Sequence, residues 1–168
     1  VIARADDPRL PAVVRTFVSF RFSGPGAPTD TVLGSRVDLE HRRLLVWAAR
    51  LHEIGITLSY TGYHKHGAYL VANSDLFGFT RQEQQALAFV VHAQRRGIPV
   101  QALNALPERL AIPAARLAVL LRLSALLHRG RTGEVVPRLT LRVSDRLVRL
   151  TLPRGWLKSR RISRVFAG

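Results

Sequence analysis

The apolar residues of this chain repeat with the period of an α-helix from about residue 38 to residue 128, and with period two after Pro137. That change of rhythm confines the fold to a helical body with a small β element, because one pattern cannot serve both geometries. The firmest helix start is Thr80, followed three positions later by Glu83. Each side chain can bond the other's backbone N–H, which makes a capping box and opens a helix predicted over residues 81–95, ending at Gly97 and Pro99. Ahead of it, Asp38 suits the cap of a helix on which Leu44, Ala48 and Leu51 share a face beside Trp47. Gly55 is the expected left-handed terminator of that helix. A short apolar helix is predicted over residues 63–72 and a turn of helix around residues 100–106. A long helix is predicted over residues 114–128, opened by Pro113, with Leu117, Leu120, Leu121, Ser124 and Leu127 inside.

The ends are read in the same way. Asp7 and Pro8 suit a further helix carrying Leu10, Val13, Val14 and Phe17 on one face, and residues 23–35, rich in Gly, Pro and Ser, read as a linker. Beyond Pro137, Leu139, Leu141 and Val143 alternate with polar residues, as do Val148, Leu150 and Leu152, with Ser144 and Asp145 at the turn. This is a β-hairpin, and a lone hairpin needs neighbours to be stable in water. The expected fold is therefore mainly α, a helical bundle followed by a partial β appendage. The expected segments are residues 1–36, 37–132 and 133–168. The chain starts at Val1 without Met, and residues 160–168 carry no regular pattern, so a fragment is expected.

Net charge narrows the partners. The formal charge is +15, carried almost wholly by Arg, since Lys occurs only at Lys65 and Lys158. The planar guanidinium grips phosphate oxygens in pairs, so the expected partner is a polyanion. The absence of Cys excludes disulfides and thiolate metal sites. No signal peptide and no apolar run of about 18 residues is visible, so no membrane span and a cytoplasmic location are expected. Aromatic residues make up 7% and are not interleaved with the Arg residues, which argues against a base-stacking RNA-binding module. No Walker loop or hydrolase nucleophile motif occurs.

The chemistry-bearing residues gather between residues 51 and 91. His64, Lys65 and His66 stand together beside Tyr63 and Gly67, where a glycine would let a phosphate chain approach the backbone. Arg95, Arg96 and Arg129 extend a basic track, and the expected polyanion-binding set is His64, Lys65, His66, Arg95, Arg96 and Arg129. The competing reading is an autonomous metal phosphohydrolase using His52, Glu53, His64 and His66.

Four blocks in order, LLVWAARLHEIG, GYHKHGAYLVANSDLFGFTRQEQQALA, RLAVLLRLSALLHR and LTLPRGWL, resemble the C-terminal half of the exopolyphosphatase and guanosine pentaphosphate phosphatase family over residues 39–157. The resemblance implies a helical domain related to the HD-domain fold and a small mixed β domain. It also implies that hydrolysis of terminal phosphoanhydride bonds, with Mg²⁺, belongs to separate N-terminal actin-like domains, whose motifs are not found in this chain. The expected partners are accordingly polyphosphate, those catalytic domains and a second copy of the chain, and no cofactor is expected here. The family's acidic helical tail is replaced by a basic end after Leu157. A complete HD site needs a spaced His, a His–Asp doublet and a distant Asp. Here the doublet is His52–Glu53, and RLSALLHR offers only Ser124 and His128 in place of the Asp. No catalytic or metal residue is therefore assigned. His52, Glu53 and Arg122 are read as a vestigial site, with Glu53 the expected partner of an Arg122 held among leucines.

Overall fold

The computed structural model describes residues 21–22, 39–127, 140–144 and 147–155. The elements are β1 (Arg21–Phe22), α1 (Leu39–Leu51), a 3-10 turn (Ile54–Thr57), α2 (Tyr63–Asn73), α3 (Arg81–Ala93), α4 (Val100–Asn104), α5 (Glu108–Leu127), β2 (Thr140–Ser144) and β3 (Leu147–Thr151). Asp38–Leu123 form one compact unit, and Val1–Val37 with Ser124–Gly168 form a second. The fold is mainly helical with a small β appendage, as the two periodicities require.

The helical unit is built around α3, which packs against both α1 and α2. Its buried residues include Ala86, Leu87, Phe89, Val90, Val91 and Ala93, so it is enclosed on nearly every side. Leu44 and Ala48 of α1, Val71 of α2, and Leu110, Leu117 and Leu121 of α5 complete the core. The capping box is present as read: Thr80 accepts from the Glu83 N–H, and the Glu83 carboxylate accepts from the Thr80 N–H at 2.7 Å. Arg43 of α1 adds an ion pair to Glu83 at 2.5 Å and lies over the Phe79 ring. Burial alone would raise the Glu83 pKa, but the Thr80 bonds and the Arg43 guanidinium outweigh it and hold the carboxyl below its ordinary range.

Three sequence expectations are corrected here. The long helix begins at Glu108, not at residue 114, and Pro113 lies inside it. One proline removes a single backbone bond, and the buried leucines that follow hold the helix through it. Gly55 is not a left-handed terminator. It sits in the 3-10 turn, where a Cβ would fall 2.0 Å from the Tyr63 carbonyl oxygen and 2.4 Å from the Gly67 nitrogen. Its missing side chain lets two backbones touch. The helix predicted to run to residue 95 ends at Ala93, and Arg96 takes a left-handed conformation after it, with φ 65°.

α5 is long and apolar enough to cross a membrane by length and composition, contrary to the expectation of no such run. Its apolarity has a local cause, since Leu110, Ala114, Leu117, Ala118 and Leu121 are buried in the protein.

In the second unit, β2 and β3 form the expected antiparallel hairpin, with Leu141 opposite Leu150 and Val143 opposite Val148. The neighbour that a hairpin requires is β1, which pairs with β2 in parallel through Arg21–Thr140 and Phe22–Leu141. The helix expected over Leu10–Phe17, the Asp38 cap, and the side chains of His128 and Arg129 lie outside the described residues.

Candidate functional site

The loop before α2 and the C-terminal end of α3 enclose a cleft of about 550 Å³, lined by Tyr60, Thr61, Gly62, His64, Lys65, His92, Arg95, Arg96 and Gly97. Among the described residues its lining holds three cations and two imidazoles and no carboxylate. Gly62 occupies the N-cap of α2 with a left-handed φ of 71° and gives it no side-chain cap bond. An uncapped helix start carries partial positive charge, so the backbone adds to the same field.

The side chains are held from several directions. Lys65 is exposed, while His64 is only 4% exposed and its Nδ1 has no hydrogen-bond partner. The His64 ring lies 5.6 Å from that of His92. Burial lowers the pKa of His64, and His92, Arg95, Lys65 and Arg96 lower it further by charge repulsion. Burial, then Lys65, lowers that of His92. Arg95 lies over the Tyr63 ring at 5.3 Å, which fixes one guanidinium. Arg96 takes a backbone conformation that costs an L-residue about 1–2 kcal/mol.

Of the expected polyanion set, His64, Lys65, Arg95 and Arg96 line one cleft, and His66, half-buried, does not. Gly67 is buried against Val91, Gly55 and Ile54, so its small size serves helix packing and not ligand approach. His92 was missed, although its spacing of three and four from Arg95 and Arg96 was a signal for a shared face.

The doublet region has another role. The His52 ring nitrogen Nδ1, just past α1, lies 2.8 Å from the Ala49 carbonyl in the last turn of that helix, and the His52 carbonyl accepts from Gln94 Nε2. Glu53, the expected partner of Arg122, is exposed. Arg122 donates to the carbonyls of Gln94, at 3.5 Å, and of Arg96. Among the described residues no three His, Asp or Glu side chains converge as a metal set. Mg²⁺ requires oxygen ligands, and a cleft of cations and imidazoles does not fit it.

What this arrangement can do is hold negative charge. Donors surround the space, and a phosphate oxygen accepts from guanidinium, ammonium and backbone N–H alike. The family model described as Ppx/GppA phosphatase, domain III, matches residues 29–165, reaching beyond the blocks on which the resemblance rests. By that match, which spans most of its length, the chain belongs to the Ppx/GppA phosphatase family, a family of hydrolases, and carries its helical domain III.

Proposed function

We propose that this domain binds phosphate-chain polyanions in the cleft between the start of α2 and the end of α3. The observation that carries the reading is the convergence of Lys65, Arg95 and Arg96 with His64 and His92 around one space, with no carboxylate in its lining among the described residues. In this reading the domain retains a long substrate while the family's separate catalytic domains cleave its end with Mg²⁺, and polyphosphate is the first ligand to test. The same reading places the domain in a cytoplasmic, dimeric enzyme.

Retention of the chain on immobilised polyphosphate at low salt tests the binding. The chain should be retained and should elute steeply as salt rises, because each phosphate contact releases counterions. Changing Lys65, Arg95 and Arg96 together to Ala should abolish retention. An unretained wild-type chain rejects the proposal, and RNA that polyphosphate cannot displace would favour a nucleic-acid module instead.

A further inference from the structure

Two cations of the cleft stand on a turn that needs outside support. Residues 94–96 follow the end of α3, where the last carbonyls have no partner within the helix. Arg96 has φ 65°, a backbone region seldom taken by a residue with a Cβ. Two ties hold this turn. Arg122, one residue past the buried Leu121 of α5, donates to the Gln94 and Arg96 carbonyls. Gln94, itself 5% exposed, donates through Nε2 to the His52 carbonyl just after α1. Neither Arg122 nor Gln94 lines the cleft.

We infer that Arg122 and Gln94 are positioning residues for anion binding, fixing the turn from both sides so that Arg95 and Arg96 face the same cleft. The inference rests on the reading of that cleft as an anion site. The physical reason is pre-organisation. Two long Arg side chains on a loose turn would lose much of their binding free energy to ordering, and a turn already fixed avoids that loss. Arg122 suits the task because its fork reaches two carbonyls at once, and its charge opposes the negative end of α3. Through Arg122, α5 therefore serves the cleft. His52 contributes its carbonyl to the same brace.

Calorimetric titration of the whole chain with inorganic tripolyphosphate, repeated over a series of NaCl concentrations, tests this. Arg122→Met should weaken binding about tenfold and flatten the salt dependence, because fewer cations then meet the ligand together. Arg122→Lys, which can still donate to the same carbonyls, should recover most of the affinity. A merely structural role would lower the melting temperature of Arg122→Met but leave the salt dependence of the folded protein unchanged. If Arg122→Met does not fold, Gln94→Ala decides by the same readout. Either variant binding with wild-type affinity and salt dependence overturns the inference while the anion site stands. A wild-type chain that ignores tripolyphosphate removes both.

Discussion

At the scale of single residues, the cleft combines fixed and variable charge. Lys65, Arg95 and Arg96 supply the cations, while burial and cationic neighbours lower the pKa of His64 and His92 and so favour their neutral forms. Both folded-state pKa values lie below the ordinary 6.5. The resulting stability is fully present above that unfolded value and is lost as pH falls towards the folded one. A bound phosphate chain has the opposite preference, since its charge favours the imidazolium. Polyphosphate affinity should therefore rise as pH falls from about 7.5 to about 5.5, with proton uptake measurable by calorimetry in buffers of different ionisation enthalpy. His92→Gln should flatten that profile; an unchanged profile would remove His92 from the site. Arg96 gives a second prediction. Glycine adopts its φ of 65° freely, so Arg96→Gly should gain up to about 1 kcal/mol in urea unfolding while binding polyphosphate less well. A loss of stability would show that the conformation is not strained.

At the scale of elements, legibility followed the locality of the signal. The Thr80–Glu83 box and the alternation of Leu141, Val143, Val148 and Leu150 are local patterns, and the structure carries both. The role of Gly55 was not local. The sequence marks a glycine near a helix end, which suits a terminator, whereas the need for it comes from Tyr63 and Gly67 of the next helix. Pro113 misled for the same reason, because core burial on α5 outweighs one missing backbone bond. The parallel partner of the hairpin, Arg21–Phe22, is too short to leave any periodic signal. Gly55→Ala tests the packing directly. With a Cβ 2.0 Å from a backbone oxygen, the 3-10 turn and α2 must separate, and thermal unfolding should show a loss of roughly 3 kcal/mol or more. A near-neutral result would mean that the two backbones are not in contact.

At the scale of the whole molecule, a charge of +15 pointed to a polyanion but could not say where it would bind. Composition reports the total, and only the fold brings residues 60–65 beside residues 92–97. Four residues of the expected set, His64, Lys65, Arg95 and Arg96, line this cleft, and they cluster in sequence next to helix ends. His66 does not line the cleft with them, and His92, which does, stands among apolar neighbours in the sequence. The doublet His52–Glu53 looked like the remnant of a reaction centre; in the structure the His52 carbonyl helps brace the turn that bears two cations. The central claim is that strings of phosphate bind in this cleft. Residue-resolved NMR titration of the isotopically labelled chain with polyphosphate tests it most directly. The account predicts saturable shifts concentrated at residues 60–65 and 92–97, lost in the Lys65→Ala, Arg95→Ala, Arg96→Ala variant. Shifts centred on the basic residues 158–164 instead, or spread evenly over the surface, would contradict it.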